Sequence, residues 1–325
     1  MIIKFIIVTI SLFLLELLYL KIARAKNIKD TPNHRSAHSV TTIRGGGIII
    51  ILGLILYPIF FKATDSFYFF LIGAFIVAIV SFIDDIIMLS SKLRIAIHLI
   101  AFSLLFYSLN LFNFETYLSI IIILIIYIFS IGFINIYNFM DGINGITFLN
   151  TLSCYCVLLY LNNYYIVFTD NNLLIILILS IIVFGFFNFR NKAICFAGDI
   201  GSITIGFSLL YFALKFYLIS QDISILLMFS LYLIDGGWTI FERILRKENI
   251  FEAHKRHLYQ IIANDLKISH LKISFVYFIL QLITNVFLII ILKNNRANLI
   301  FSLLVFLLSS IIYFYIKVNT IKKLR

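Results

Sequence analysis

The sequence predicts an all-α, polytopic integral membrane protein. Hydrophobic residues make up 62% of the 325-residue chain and charged residues 13%, and the mean hydropathy is +1.07. These values exclude an ordinary soluble domain. The apolar residues also fall into about eleven separate runs, most of them close to the roughly 20 residues that a membrane-spanning helix needs.

Only short polar segments separate the runs, so we interpret residues 1–325 as a single membrane-embedded domain. The first run has its basic cluster after the apolar stretch, the reverse of a signal peptide, and we therefore take it as the first span. The predicted spans lie near Ile2–Leu20, Gly45–Phe61, Phe67–Ile83, Ile95–Leu109, Tyr117–Ile134, Ile146–Leu161, Leu173–Phe187, Ile203–Leu218, Ser224–Ile240, Ile273–Leu292 and Leu299–Ile316.

The basic residues predict the orientation of the spans. Of the 26 Lys and Arg residues, all but Lys4, Lys62, Lys215, Lys293 and Arg296 fall on one alternate set of loops. Because cytoplasmic loops retain Lys and Arg, we predict an external amino terminus and a cytoplasmic face that includes a long loop at 241–272. The net charge of +11 then mostly reflects the retention of basic residues on cytoplasmic loops. Because these residues are spread over many loops, we expect no nucleic-acid partner.

A polar stretch over Asn135–Ile146 separates the fifth and sixth predicted spans. It contains Asn138, Asp141 and Asn144 together with two glycines. Amides and carboxylates beside hydrocarbon are costly unless they face a partner or a wet cavity. A structural turn would explain the glycines but not the polar side chains, so the stretch predicts a functional site.

Paired acids end the third predicted span. Asp84 and Asp85 are followed by Lys92 and Arg94. Two carboxylates at a membrane surface suit a divalent metal ion or a shared proton. A solvated loop start in which the two cations neutralise the two acids is an equally simple explanation, and both stay open.

Two glycine-containing segments on the same predicted face lead into helices. Arg44 precedes Gly45–Gly47, whose backbone amides could approach an anion together with the cations of the loop; a flexible helix start in a basic loop is the simpler alternative. Asp199 stands between two glycines in Gly198–Ser202, with Ser202 as the predicted N-cap. That segment predicts the close approach of a ligand or ion to the backbone, with an ordinary capped turn as the alternative.

The long loop contains Phe251–Gln260, which we predict to form an amphipathic helix at the membrane interface. His254 and His257 are three residues apart, so they would project to one side and could bind phosphate. A zinc site would need further ligands, and a basic interfacial helix without a ligand is the alternative. All five polar clusters share the predicted cytoplasmic face, which suits phosphoryl chemistry between a nucleotide and a lipid in one cleft.

Four motifs occur in a fixed order: Asp84-Asp85, Asn135-x-x-Asn138-x-x-Asp141-Gly142, Gly198–Ser202 and His254-x-x-His257. In this order they resemble the polyprenyl-phosphate N-acetylhexosamine-1-phosphate transferases, of the glycosyltransferase family 4 type. That bacterial family belongs to the same superfamily as the phospho-N-acetylmuramoyl-pentapeptide transferases. The arginine-serine-x-histidine and triple-glycine features of the first loop resemble the branch that starts surface polysaccharides.

The resemblance implies a reaction in which undecaprenyl phosphate attacks the β-phosphorus of a UDP-N-acetylhexosamine. The products would be the undecaprenyl-diphosphate-linked sugar and UMP, and the cofactor Mg²⁺, with Mn²⁺ as an alternative. This is the first membrane step of O-antigen, capsule or other cell-surface polysaccharide synthesis, in the lipid bilayer of the bacterial inner membrane. The sugar would be N-acetylglucosamine or a related 6-deoxy N-acetylsugar, between which the sequence does not decide, and a homodimer is a candidate assembly.

By motif, the implied catalytic residues are Asp84, Asp85 and Asp141, with Asp84 as the base or the partner of the lipid phosphate. Asp199 would ligate the metal, with Asp85 beside it. The implied substrate-binding residues are Asn138, Asn144, His254, His257, Arg44 and Lys92. The asparagines, with Asp141, would line the nucleotide site, and the histidines would contact the diphosphate or sugar. We favour direct attack over a covalent intermediate.

Some features depart from the family pattern or favour an alternative. Asn144 stands where the family commonly has Asp, and residues 190–192 read Arg-Asn-Lys where Pro-Ala-Lys is usual. The histidine triplet of the muramoyl-pentapeptide enzyme is absent, which argues against the peptidoglycan step; that enzyme is the alternative transferase. An ion-coupled transporter is the alternative from another class, but it should carry acids in mid-span, where Glu16 is almost the only one.

Overall fold

A computed structural model describes residues 1–31, 41–114, 116–248, 255–294 and 298–324. The described chain is almost entirely helical, which confirms the predicted all-α membrane fold. Its elements are α1 (Ile2–Ala25), β1 (Lys29–Asp30), β2 (Thr42–Ile43), α2 (Ile48–Phe60), α3 (Asp65–Ile86), α4 (Ser91–Ser108), α5 (Tyr117–Phe139), α6 (Ile146–Tyr164), α7 (Asn171–Asn188), α8 (Gly198–Ser220), a 3₁₀ segment (Ile223–Phe229), α9 (Ser230–Leu245), α10 (Leu258–Asn264), α11 (His270–Asn294) and α12 (Asn298–Lys323).

Each of the eleven predicted spans corresponds to a helix. Among the described residues, nine helical segments are long and apolar enough to cross a bilayer, one of them being the 3₁₀ segment continued by α9. The other two predicted spans are α2, which has only 13 residues, and α6, a 19-residue helix that carries several polar side chains. The number and orientation of the spans that cross the bilayer stay predictions.

Helix α8 is the most enclosed of these nine segments, whereas α12 is the most exposed. Small residues allow this burial, because Gly201 faces the backbone of Gly47 and Gly206 faces the backbone and side chain of Ile134. Close backbone approach at small residues is the usual way in which membrane helices pack. Since α3 and α5 both pack along α8, their polar ends meet at its amino terminus.

A short antiparallel hairpin of β1 and β2 brings the first loop to the same place. Ile43 pairs with Cys195 as well as with Lys29. Beyond it, the N–H groups of Gly46 and Gly47 donate to the carbonyls of Phe196 and Ala197 at 2.8 and 3.0 Å. These two glycine amides are therefore used inside the fold and are not open to an anion, which corrects one of the two interpretations of the glycine segment.

Two local predictions were wrong. Helix α8 begins at Gly198 with Ala197 as its N-cap residue, and Ser202 lies inside the helix, where its hydroxyl donates to the Gly198 carbonyl at 3.0 Å. The helix predicted over residues 251–260 begins only at Leu258. Residues 251–254 lie outside the described part of the chain.

Candidate active site

The carboxylate of Asp85, in the last turn of α3, lies against the first turn of α8. Its Oδ1 accepts a hydrogen bond from the backbone N–H of Asp199 at 3.0 Å, and its Oδ2 accepts one from Ile200 at 3.2 Å. The first N–H groups of a helix lack partners within the helix and form its positive dipole end. Asp85, whose side chain is fully buried, therefore fastens α3 to α8.

Arg44 bridges two carboxylates at this point. Its Nε lies 2.6 Å from Asp85 Oδ1, and its Nη2 lies 3.0 Å from Asp199 Oδ1. Burial lowers the pKa of the guanidinium, but the carboxylates of Asp199 and Asp85 outweigh burial and raise it. The hydroxyl of Tyr19 donates to the Arg44 carbonyl at 2.5 Å, which helps to fix the backbone of this permanently charged residue.

Asp84 has different partners from its neighbour. Its Oδ1 accepts from the backbone N–H of Leu89 at 2.7 Å, and its Oδ2 pairs with Arg94 Nη1 at 2.9 Å. Lys92 is exposed in the first turn of α4 and makes no salt bridge to a described residue. The simpler explanation was that Lys92 and Arg94 neutralise the two acids. It holds for Arg94 and Asp84, whereas Asp85 is neutralised by Arg44 of the first loop.

Asn138 and Asp141 lie at the carboxyl end of α5, which stops at Phe139. The Oδ1 of Asn138 lies 2.8 Å from the Ser202 hydroxyl, whose single proton is shared between this oxygen and the Gly198 carbonyl, so Asn138 faces α8. Burial raises the pKa of the half-buried Asp141 carboxyl to about 6; the Asp199 carboxylate adds to this rise, and Arg44 opposes it. Asp141 therefore belongs electrostatically to the same cluster as Asp199.

Asn144 lies deeper than the other polar residues of its stretch. Its Nδ2 donates to the carbonyls of Arg190 and Asn191 at 2.8 and 3.3 Å, and the Ser274 hydroxyl donates to its own carbonyl at 2.8 Å. A carboxylate could not donate these two bonds. The local geometry thus explains an amide at 144, and the nucleotide contact implied for this residue stays a prediction.

His257 is buried against Asp235 of α9. Its Nδ1 lies 3.5 Å from Asp235 Oδ1, and both side chains are 1% exposed. The imidazole stacks on the Tyr259 ring at a centroid distance of 5.7 Å. His257 therefore faces α9 and is not displayed on an exposed helix face, and the diphosphate or sugar contact stays a prediction. His254 lies outside the described residues.

Comparison with known proteins gives a family match for part of the chain. A family model described as glycosyl transferase family 4 matches residues 67–217. That interval contains the four carboxylates Asp84, Asp85, Asp141 and Asp199. This match, together with the relatives described next, supports the glycosyl transferase family 4 type for this chain.

Three individual bacterial proteins are similar to this chain at 24–27% identity. The phospho-N-acetylmuramoyl-pentapeptide-transferase of Streptococcus mutans is 27% identical, over 63% of this chain and 68% of the relative. The probable undecaprenyl-phosphate N-acetylglucosaminyl 1-phosphate transferase of Bacillus subtilis is 24% identical, over 79% and 76%. A phospho-N-acetylmuramoyl-pentapeptide-transferase of Streptococcus pneumoniae is 25% identical, over 66% and 74%. The family match and the relatives indicate a phosphosugar transferase, and the nine apolar helical segments among the described residues indicate a multi-pass membrane protein.

Two buried acids of this transferase were missed or left without a partner by sequence reasoning. Asp235 was counted as part of an apolar span, although an acid inside a span is itself a signal of a specific partner. Glu16 was noticed, and its Oε1 accepts from the Cys195 thiol at 3.6 Å in a fully buried setting. Glu16 therefore supports the segment that precedes α8 from behind.

Gly198 is a position at which both the backbone conformation and the surroundings exclude a side chain. Its φ is +70°, and an added Cβ would lie 2.6 Å from Asp85 Oδ2 and 2.8 Å from the backbone nitrogen of Gly45. We expect Gly198→Ala to lower the free energy of unfolding by at least about 2 kcal/mol, because left-handed backbone strain adds to this clash.

Thermal unfolding in detergent checks the prediction for Gly198. Gly237→Ala is the matched control, because no atom lies within 4 Å of a Cβ added there and Ala in a helix stabilises by up to about 1 kcal/mol over Gly. Equal melting temperatures for the two variants would contradict the close approach of the first loop to α8.

Proposed function

We propose that the protein transfers N-acetylhexosamine-1-phosphate from a UDP-sugar to undecaprenyl phosphate. The polyprenyl phosphate oxygen attacks the β-phosphorus of the donor, UMP leaves, and the product is the diphosphate-linked sugar. The sugar is N-acetylglucosamine or a 6-deoxy relative, for cell-surface polysaccharide synthesis at the bacterial inner membrane. Similarity to a transferase family and to named transferases favours this reaction over the transporter alternative.

The observation that carries the proposal is the charge cluster at the amino end of α8. Asp84, Asp85 and Asp141 each lie close enough to Asp199 to interact with it electrostatically. The guanidiniums of Arg44 and Arg94 neutralise two of these four carboxylates, so the cluster carries an excess of two negative charges when all four are ionised. Such a site attracts a divalent cation, and with it the phosphates of a substrate.

The residues fit a Mg²⁺ ion that is shared with substrate. Among the described residues, no three His, Cys, Asp or Glu side chains group closely enough to hold a metal, and Mg²⁺ in nucleotide sites is commonly held by one or two carboxylates with phosphates and water. Asp199 Oδ2 accepts no bond from any described residue, so Asp199 would hold the ion. When bound, Mg²⁺ would neutralise charge on the transferring phosphate.

Asp85 fits the metal less well, because its Oδ1 already accepts two bonds and its Oδ2 one. Its part here is to orient Arg44 and the first turn of α8. Arg44 in turn holds Asp199 and supplies positive charge beside the transferring phosphate. Asp84, with Arg94 beside it, is the proposed partner of the lipid phosphate, and direct attack is the favoured route.

The experiment that tests the proposal is UMP release by the purified protein with undecaprenyl phosphate and Mg²⁺, with one UDP-N-acetylsugar offered at a time. We expect release that depends on the lipid, on one donor and on the metal, and that stops when a chelator is added. Absence of release with every donor, from protein that melts cooperatively, would refute the proposed reaction.

A second candidate is the phospho-N-acetylmuramoyl-pentapeptide transferase reaction. Two of the similar proteins carry that name, and one has the highest identity of the three. The sequence between His254 and His257 reads Lys-Arg and so lacks the contiguous histidines of that enzyme. UDP-N-acetylmuramoyl-pentapeptide in the same donor panel separates the two reactions, since each predicts a single productive donor class. A homodimer also stays a proposal.

The pKa of Asp141 predicts the pH dependence of the reaction. Because the pKa is raised to about 6, the carboxylate needed at the nucleotide site is progressively protonated as the pH falls through that value. We expect UMP release to fall between about pH 7 and pH 5. In Asp141→Asn, the remaining rate should lose this inflection, and an inflection that persists unchanged would exclude Asp141 as its source.

The same shift predicts the opposite trend for stability. A folded-state pKa above the ordinary value of 3.8 means that the folded protein holds the proton more tightly than the unfolded chain does. The contribution of Asp141 to stability is therefore full below about pH 4 and is lost as the pH rises through about 6. Melting curves of the wild type and of Asp141→Asn over this range should converge at low pH.

A further inference from the structure

Asp235 is a buried carboxylate with partners from three other helical segments. It lies in α9 and is 1% exposed. The backbone N–H of Leu258, at the start of α10, donates to its Oδ1 at 3.0 Å. The hydroxyls of Tyr277 from α11 and Tyr313 from α12 donate at 2.7 and 3.0 Å. The imidazole of His257 lies 3.5 Å away.

Several hydrogen-bond donors from different helices surround this one buried carboxylate. An isolated charge inside a membrane helix is costly, and such a group is kept where its partners compensate for lost water. Here three of the partners belong to the loop segment at 255–264, namely His257, Leu258 and the backbone N–H of Tyr259, which donates to Asp235 Oδ2 at 3.5 Å. The carboxylate thus fastens a cytoplasmic-loop segment to the helices beneath it.

The same segment reaches the candidate active site through Tyr259. The Tyr259 hydroxyl donates to the Phe139 carbonyl at 2.7 Å, and its ring lies against Gly142 so closely that no Cβ would fit there. Phe139 and Gly142 flank Asp141 on both sides. Contacts therefore run from Asp235 through the docked segment to the loop that carries Asp141.

We propose that Asp235 is a positioning residue for the substrate site. It holds His257 and Tyr259 in place, and through Tyr259 it sets the position of the Asp141 loop. The inference rests on the proposed function, in that this loop binds the UDP-sugar. Asp235 acts through these residues and touches no substrate itself.

Hydrogen exchange tests the docking without any substrate. Asn at position 235 keeps the size of the side chain but presents an N–H₂ group where Asp235 accepts bonds. We expect exchange of the backbone amides at 255–264 to become about tenfold faster or more in Asp235→Asn, as the loss of a bond to a charged acceptor predicts. Tyr313→Phe is the matched control, because it removes one bond of the same carboxylate and keeps the ring, which packs beside Leu258.

Steady-state kinetics test the effect on the site. Asp235→Asn should raise the KM for the UDP-sugar about tenfold, with a much smaller change in the KM for undecaprenyl phosphate, whereas Tyr313→Phe should leave both near the wild type. Tyr259→Phe removes the hydroxyl that bonds the Phe139 carbonyl and leaves the backbone N–H of Tyr259 on Asp235. This variant should raise the KM for the UDP-sugar without faster exchange at 255–264. If Asp235→Asn does not fold, Tyr259→Phe still tests the inference.

Two results would overturn the inference. One is equal exchange at 255–264 in Asp235→Asn and Tyr313→Phe, which would make Asp235 an ordinary contributor to global stability. The other is an unchanged KM for the UDP-sugar in Tyr259→Phe. Failure of the proposed function is distinct, because wild-type protein would then release no UMP with any donor while the exchange result still stands.

Discussion

Replacing Asp199 with Asn should lower the rate of UMP release by about a hundredfold or more, while the protein stays folded. The amide keeps the size of the side chain and one oxygen, so the contact with Arg44 can persist. It loses the negative charge, and it leaves the site without the carboxylate oxygen that accepts no bond from any described residue. The rate with saturating undecaprenyl phosphate and UDP-sugar measures this effect.

Asp65→Asn is the matched control for Asp199→Asn. Asp65 is exposed in the first turn of α3, at the opposite end of that helix from Asp84 and Asp85, and the chemical change is the same. We expect its rate to match the wild type. If Asp199→Asn kept more than about a tenth of the wild-type rate, the charge at Asp199 would not be essential and the proposed metal ligand would be wrong.

The sequence predicted which polar segments lie on the same face, because that prediction depends only on the residues at the ends of each apolar run. Carboxylates and amides at the ends of apolar runs must leave the hydrocarbon, and basic loops identify the predicted cytoplasmic side. Asp84, Asp85, Asn138, Asp141 and Asp199 could therefore be assigned to one face without knowledge of helix packing. The structure brings these five residues together at the amino end of α8.

The partners of these residues could not be predicted, because they depend on contacts between distant parts of the chain. Arg44 reaches Asp199 across 155 positions of sequence, and it does so only because the hairpin and the Gly47–Gly201 contact bring the first loop to α8. Lys92 and Arg94 are both basic residues shortly after the acid pair, so the sequence does not distinguish them. In the structure α4 begins at Ser91, and only Arg94 pairs with Asp84.

His257 shows the limit of spacing arguments. Two histidines three residues apart share a face only if the segment is helical, and α10 begins one residue after His257. His257 is oriented by Asp235. From sequence, Asp235 was placed inside an apolar span, because the hydropathy of its neighbours is high enough to hide one charged residue. A search for isolated acids within predicted spans would have found it.

Arg44→Gln should reduce both stability and activity, because it leaves Asp85 and Asp199 close together without their shared cation. Removing one partner of a fully buried ion pair costs about 3–5 kcal/mol. A third of the Arg44 side chain is exposed, so water can compensate in part and we expect a loss of about 1–3 kcal/mol. Thermal unfolding in detergent measures the first effect, and UMP release measures the second, with an expected loss of about a hundredfold.

Arg44→Lys separates charge from geometry at the same position. An ammonium group keeps the positive charge but lacks the planar fork that lets Nε and Nη2 contact two carboxylates at once. We therefore expect Lys to restore most of the stability but little of the activity. Arg24→Gln is the control, since Arg24 is exposed and makes no salt bridge to a described residue. If Arg44→Lys were fully active, Arg44 would supply only positive charge, and the geometry of the bridge between Asp85 and Asp199 would have no part in the reaction.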